Sequence, residues 1–359
     1  MLLGTKTDFP RLLAVGTANP ATAYSQRDVL DRYQVGSGPV RSLFLGSHID
    51  RRYLALSDLD TDGRPRPESQ GDLLEKHRRE GIRLATQALS RCLERAGADL
   101  ADIRYLCCVS STGFLVPGLS ALLIKELGLR PDCSRADIVG MGCNAGLNGL
   151  NPVASWAAAN PGKLAVMICV EVCSAAYVFD DTMRTAVVNS LFGDGAAAVA
   201  VRADLRPADG PAPGPAVLKF ASRVIPEAVD AMRYEWDERY GKFSFFLERD
   251  VPYVVGAHAE EVVGNLLDGT GLRRGDVAHW VVHSGGKKVI DSVRVNLRLT
   301  AHDMRHTTSV LREYGNLSSG SFLFSFDKLT QEGTPRPGDH GVLMTMGPGS
   351  TIETALLKW

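Results

Sequence analysis

The sequence predicts an α/β chain built from two copies of one strand–helix unit. Two observations carry that prediction. Apolar runs of strand length alternate with longer helix-like stretches along most of the chain, as in proteins that layer helices against a sheet. The second half also repeats the first at a nearly constant spacing. Gly97 and Gly271, Asp102 and Asp276, Cys143 and Asn316, and Pro161 and Pro337 lie 174, 174, 173 and 176 residues apart. A fixed period over segments this long marks a duplicated supersecondary unit, so the halves are expected to pair about a pseudo-twofold axis.

In order along the chain, Arg11 to Gly16 reads as a strand and Ser25 to Tyr33 as a helix capped by Ser25. Ser57 to Asp72, rich in Pro, Gly and Asp, reads as a loop. Leu73 to Ala96 is a long helix that Gly97 closes. Tyr105 to Ser110 is a strand, and Leu119 to Leu127 a helix stopped by Gly128. Ile138 to Met141 has the length of a buried strand. Gly142-Cys143 then lead into an Ala/Leu/Asn/Gly stretch, to Ala159, that reads as a buried helix. Lys163 to Glu171 is a strand, Thr182 to Ser190 a helix, Leu191 to Gly195 a tight turn and Ala196 to Val201 a strand. The Pro/Gly/Ala run from Leu205 to Pro215 is the expected linker, which divides the chain into halves at 1–204 and 216–359. In the second half His279 to Ser284 echoes Tyr105 to Ser110. Gly315-Asn316-Leu317-Ser318 likewise echoes Gly142-Cys143-Asn144-Ala145.

Composition narrows the function classes. The chain has 359 residues, 45% hydrophobic and 23% charged, as in a soluble enzyme. A net charge of −1 gives no case for nucleic acid or an anionic membrane. No apolar run approaches the ~20 residues of a membrane span, and Met1 to Pro10 lacks the apolar segment of a signal peptide. Seven scattered cysteines fit reduced thiols, hence a cytoplasmic protein, better than a disulfide framework. His302 and His306 have the spacing to share a helix face but lack an evident third ligand, so no metal is expected. Gly140, Gly142 and Gly146 miss the dinucleotide-binding spacing by one residue.

Cys143 falls where a strand hands over to a helix. Unpaired N–H groups and the helix dipole favour negative charge there, and the thiolate is the nucleophile. Under the repeat, Asn316 mirrors Cys143, and His283 ends a strand of the second half. A Cys, a His and an Asn at element ends form an activated-nucleophile set. The His can pair with the thiolate or donate Nε2–H to a carbonyl oxygen, and the Asn adds a second donor. Two donors aimed at a thioester oxygen stabilise an enolate, which loss of CO2 from a malonyl group would generate. The same residue types also permit a thioester hydrolase, in which the Asn orients the His and water completes the reaction.

Five blocks are more specific: Gly142-Cys143, Leu191 to Ala198, His283-Ser284-Gly285-Gly286, Tyr314 to Ser319 and Gly347-Pro348-Gly349. In this order, over about Leu12 to Trp359, they resemble the signature blocks of type III polyketide synthases, chalcone-synthase-like enzymes of the thiolase fold. The resemblance implies a homodimer of five-layered αβαβα subunits with two pseudo-duplicated halves. It implies Cys143 as nucleophile and acyl carrier, His283 and Asn316 as promoters of malonyl-CoA decarboxylation, and no cofactor beyond the CoA thioester substrates. Phe192, followed by Gly193, and Phe245 match gatekeepers between a CoA tunnel and a cavity. Gly347, Pro348 and Gly349 match the loop that shapes this cavity, which Ser111, Cys173 and Ala176 are expected to line. Val116 is expected to reach into the partner subunit.

The blocks Cys143 to Asn148, Asp230 to Tyr234, Tyr253 to Glu260 and Lys287 to Asp291 resemble one bacterial branch of the family, found in glycopeptide-antibiotic pathways. That branch uses malonyl-CoA as starter and extender and closes a tetraketide by an aldol reaction to 3,5-dihydroxyphenylacetyl-CoA. Crotonase-like proteins would be its pathway partners. Another resorcinol-forming member with a different starter or ring closure is the alternative. Plant members bring three basic residues to the CoA phosphates from the segment matching Pro39 to Gly46, where this chain has only Arg41. Lys287 and Lys288, after Gly285 and Gly286, are the expected replacements, with Arg41 assisting.

Overall fold

The computed structural model describes residues 9–203 and 214–359. Most of the expected linker, Leu205 to Pro215, lies outside them. The first half runs β1 (Arg11–Ala18), β2 (Ala23–Ser25), α1 (Gln26–Arg32), α2 (Gly38–Leu45), β3 (Arg51–Tyr53), α3 (Gln70–Ala96), β4 (Ile103–Ser110), α4 (Leu119–Leu127), β5 (Ser134–Val139), α5 (Ala145–Ala159), β6 (Leu164–Glu171), α6 (Met183–Leu191) and β7 (Gly195–Arg202). The second runs β8 (Ala216–Val224), β9 (Met232–Asp237), β10 (Lys242–Leu247), α7 (Val251–Leu267), β11 (Val277–Val282), α8 (Lys287–Asn296), α9 (Arg305–Tyr314), α10 (Ser321–Glu332), β12 (His340–Gly347) and β13 (Thr351–Lys358).

Among the described residues nine strands form one sheet, ordered β11-β12-β13-β8-β1-β7-β6-β4-β5. Its halves meet where β1 pairs with β8, at Arg11–Ala216. About that seam β1 answers β8, β7 answers β13, β6 answers β12 and β4 answers β11, the pseudo-twofold that the repeat predicts. β5 extends the first half alone.

Five layers follow from which faces are apolar. β6 is buried along its whole length, as a strand covered on both sides must be. Its Val166, Ile168 and Val170 pack under Leu84 and Leu89 of α3 and Leu123 of α4. Its alternate residues Ala165, Met167 and Cys169 face Leu147 and Leu150 of α5 and Phe322 of α10. On the other side, Leu343 of β12 and Ala355 of β13 close the same central layer. Outside them Val255, Val262 and Leu266 of α7 and Val293 of α8 pack on Val282, Met344 and Leu356. The order is α3/α4, sheet, α5/α10, sheet, α7/α8.

Local signals placed the ends well. Ser25 accepts from the Asp28 N–H and caps α1, and Gly97 and Gly128 stop α3 and α4 in the left-handed region. Three readings need correction. α3 begins at Gln70, not Leu73, because Ser69 and Asp72 form a capping box inside the expected loop. The strand before Cys143 spans Ser134–Val139 and sits at the sheet edge with Val139 exposed, rather than running buried from Ile138 to Met141. Gly140, at φ +82°, ends it. His302 precedes α9, so it shares no helix with His306, whose Nε2 bonds to Glu332.

Candidate active site

Cys143 follows the edge strand β5 on a single tight turn and enters α5 two residues later. Gly142 makes that turn at φ +65°, and a Cβ there would lie 2.4 Å from the Pro348 ring. Its N–H donates to Ser111 Oγ at 2.8 Å. Cys143 itself is 8% exposed. His283 directly follows β11. Its N–H donates to the Met344 carbonyl at 2.8 Å, which ties the end of β11 to its neighbour β12. Its ring Nδ1 is buried and unpartnered. Asn316 lies between α9 and α10. Its N–H donates to the Leu191 carbonyl and its carbonyl accepts from the Gly193 N–H, both at 2.9 Å. Its side-chain Oδ1 accepts from the Ser318 N–H (2.8 Å), and Nδ2 donates to the Gly285 carbonyl (3.4 Å). One amide hydrogen of Nδ2 is left for another acceptor.

Two cavities meet at Cys143. The inner, about 410 Å³, is lined by Ser111, Cys173, Ala176, Tyr234, Pro348 and Gly349. The outer, about 600 Å³, is lined by His283, Gly285, Gly286, Lys287, Lys288 and Asn316. Cys143, Phe192, Met232 and Phe245 border both. The Phe192 and Phe245 rings stand edge to face with centroids 5.9 Å apart, which places them at the neck.

Three expected positions need correction. Arg41 lines neither cavity, because it faces α1: it donates to the Val35 carbonyl and lies 3.7 Å from Asp31. Gly193 lines neither, since its backbone is engaged by Asn316 and a Cβ would meet the Tyr314 carbonyl at 2.3 Å. Gly347 stands behind the cavity wall, where a Cβ would lie 2.9 Å from the Cys143 nitrogen. Val116, expected to enter the partner subunit, is 82% exposed and lines neither of these cavities.

Other residues escaped the sequence reading. Arg249 lines the outer cavity with no ion-pair partner among the described residues. Its neighbours Asp250-Val251-Pro252 were the available signal. The Tyr234 hydroxyl donates to the Ser111 carbonyl at 3.1 Å in the inner cavity. Ser318, at φ +49°, lines the inner cavity with Cys143. Glu171 is fully buried at the end of β6 and accepts from the Ser111 N–H (3.0 Å) and the Ser319 hydroxyl.

Burial opposes charge throughout. It pushes the Cys143 thiol up to about 12, against hydrogen bonds from Ser318 and Asn316. It pushes His283 down to about 3. The helix start therefore does not acidify the thiol by itself. Proton transfer from Sγ to the imidazole would set two opposite charges in the same low-dielectric space, where each favours the other.

A buried thiol at the junction of two cavities, with an imidazole and an amide beside it on a duplicated five-layer scaffold, defines a thiolase-like condensing acyltransferase. The chain matches chalcone and stilbene synthases over both parts, the N-terminal domain at residues 6–205 and the C-terminal domain at residues 218–359, and it belongs to that family, the type III polyketide synthases. It is 65% identical over 351 residues to a 3,5-dihydroxyphenylacetyl-CoA synthase of Streptomyces toyocaensis, covering 98% of this chain and 90% of that one. It is 62% identical over 358 residues to the protein of the same name from Amycolatopsis balhimycina, covering 100% and 95%. Among solved structures, PKS-I of the brown alga Ectocarpus siliculosus superposes with a TM-score of 0.90 at 27% identity over 99% of each chain. The 1,3,6,8-tetrahydroxynaphthalene synthase of Streptomyces coelicolor does so with 0.86 at 26% identity, over 97% of this chain and 99% of that one.

Burial raises the Glu171 carboxyl to about 7, above the roughly 4.3 of an unfolded glutamate. Between those values the folded state holds a proton that the unfolded state releases. The stability tied to this group is fully present below the unfolded value and is lost as pH rises through about 7. Glu171→Gln cannot ionise, so its stability relative to the unsubstituted protein should rise between about pH 5 and pH 8. Denaturant midpoints at the two pH values measure this; a difference that does not change with pH would refute it.

Proposed function

We propose that this enzyme condenses malonyl-CoA, as starter and extender, into a tetraketide that closes to 3,5-dihydroxyphenylacetyl-CoA. The meeting of the two cavities at Cys143 is the observation that carries the reading, and relatives above 60% identity support the product. In this reading malonyl-CoA enters the outer cavity and its carbonyl carbon is attacked by Cys143 Sγ. The His283 imidazole takes the thiol proton and passes it to the CoA sulfur as CoA leaves. A second malonyl-CoA loses CO2, and its enolate oxygen is met by the His283 N–H and by Asn316 Nδ2. The enolate carbon then attacks the acyl group on Cys143. Across the whole reaction four malonyl-CoA give one product, three CoA, four CO2 and one water. Loss of CO2 supplies the carbanion, so the chemistry calls for no metal or prosthetic group. The growing chain passes Phe192 and Phe245 into the inner cavity, where Ser111, Cys173, Ala176, Pro348 and Gly349 shape its fold.

Incubation with malonyl-CoA alone, with and without crotonase-like partner proteins, tests the reading by mass spectrometry. CO2 with an aromatic CoA ester is the expected outcome; malonate and CoA without CO2 would mark a thioester hydrolase instead. Cys143→Ala should abolish chain extension while some decarboxylation persists. Asn316→Ala should lose roughly 100- to 1,000-fold in decarboxylation, the scale of one oxyanion donor, and still acylate Cys143.

At the outer cavity Lys287 pairs with Asp291, one turn along α8. Lys288 and Arg249 have no ion-pair partner among the described residues. Arg249 thus takes the place expected of Arg41, and these cations meet the CoA phosphates. Lys288→Ala with Arg249→Ala should raise KM for malonyl-CoA, more so at low salt, and leave a malonyl thioester without the nucleotide unaffected. An equal effect on both substrates would refute the assignment.

The reading includes a homodimer. Val116 and Phe114 are 82% and 71% exposed, beside the loop from Ser111 that lines the inner cavity, and Val139 is exposed on the edge strand. A second copy covering this apolar surface would bring Val116 to the partner's cavity. Sedimentation at micromolar concentration should give about twice 38.7 kDa; a fully active monomer would refute the dimer. Seven free, buried cysteines suit a reducing cytoplasm, where CoA thioesters are made.

A further inference from the structure

Arg52 belongs to none of the blocks and lines neither cavity. It is 0% exposed. Its hydrogen bonds all go to uncharged acceptors. Nη1 donates to the Asn189 and Phe192 carbonyls (2.7 Å each) and to the Tyr177 hydroxyl (2.9 Å), and Nη2 donates to Gln26 Oε1 (2.8 Å). The buried carboxylate two residues beyond Phe192, Asp194, is bound instead to Ser174 and to the Ala55 N–H.

A guanidinium buried without a carboxylate partner is poorly suited to stability alone, since apolar side chains of similar volume often serve as well. Its placement points to another task. Asn189 and Phe192 stand at the C-terminal end of α6, where carbonyls lack partners within the helix and a cation is favoured. Tyr177, itself held by Arg52, donates its hydroxyl to the same Phe192 carbonyl. That carbonyl is therefore fixed by two donors directly beside the ring at the neck. The next residue's N–H and the preceding residue's carbonyl are the two groups that hold Asn316.

The stem of Arg52 also packs against a glycine of the family blocks. A Cβ on Gly315 would come within 2.9 Å of Arg52 Cγ and Cδ, as well as 2.7 Å from the Leu191 carbonyl. The Asn316 side of the Phe192–Asn316 bridge thus leaves room for the Arg52 side chain.

We propose that Arg52 is a positioning residue that fixes Phe192 at the neck and, through the Leu191–Asn316–Gly193 bonds, the Asn316 amide at the reacting carbonyl. It touches no substrate. The proposal rests on the condensing reading, in which that amide stabilises the enolate. It separates two steps: Cys143 acylation does not depend on Arg52, whereas decarboxylation and control of the chain at the neck do.

The test uses Arg52→Lys and Arg52→Met in the full chain, with folding checked by circular dichroism. Acylation is read by intact-protein mass spectrometry, and CO2 release and product profile on malonyl-CoA are measured alongside. Both variants should acylate Cys143 near the wild-type rate. CO2 release should fall by roughly 100-fold in Arg52→Met, the scale of a misplacement of about an ångström. It should fall less in Arg52→Lys, whose ammonium can still meet the two carbonyls. Truncated polyketides should rise in both. Acylation and CO2 release falling together, in proportion to the folded fraction, would show a purely structural role and overturn the proposal. If Arg52→Met does not fold, Arg52→Lys alone decides by the same ratio. Wild-type enzyme that releases no CO2 would overturn the condensing reading and this proposal with it. Wild-type kinetics and products in the variants, with an active wild type, would overturn the role of Arg52 alone.

Discussion

Two backbone hydrogen bonds organise the site: Asn316 N–H to the Leu191 carbonyl, and Gly193 N–H to the Asn316 carbonyl. They join the turn after α6, in the first half, to the turn before α10, in the second. Each turn carries a residue that lines the cavities at Cys143, Phe192 on one and Asn316 on the other. The bond pair sets their separation by covalent geometry and leaves the side chains free to face the cavities. Backbone groups buried this deeply must be paired, so the register of this short bridge is strongly specified. Cys143 is held to the same frame from the other side, where Pro348 fills the space that a side chain at Gly142 would need.

The scaffold around that frame is apolar and close-packed, which explains the electrostatics. α5 and α10 are sandwiched between the two parts of the sheet, so a thiol at the start of α5 is deep in protein. The same burial that disfavours an isolated thiolate or imidazolium strengthens any donor aimed at a developing oxyanion. A site of this kind holds little charge at rest and responds strongly to charge created by reaction. The outer cavity differs, with Lys287, Lys288 and Arg249 in its lining. In the proposed reading polar anchoring falls to this cavity and chain-building to the inner one, with Phe192 and Phe245 between them.

Much of the architecture was legible because its causes are local or periodic. Serine caps, glycine stops and alternating apolar residues act over a few positions, and the duplicated spacing placed Asn316 opposite Cys143 before any contact was known. The edge position of β5 was not legible, since Ile138 and Val139 look the same in a central strand as beside a free edge. Arg41 was misplaced for a related reason. A basic residue on a short helix can face either side, and here its own neighbours Val35 and Asp31 hold it.

The sequence by itself determined the order of elements, the duplication, the Cys143, His283 and Asn316 set, and the residues that match the family blocks. Each of these depends on residue type and spacing along the chain. Tertiary structure alone decided that Arg52 binds Phe192 across 140 positions, that Ser319 meets Glu171 across 148, and that Arg249 rather than Arg41 faces the outer cavity. Those contacts depend on the direction of a side chain in a packed interior, and no short stretch of sequence fixes that direction. Packing of the central helices against both parts of the sheet does.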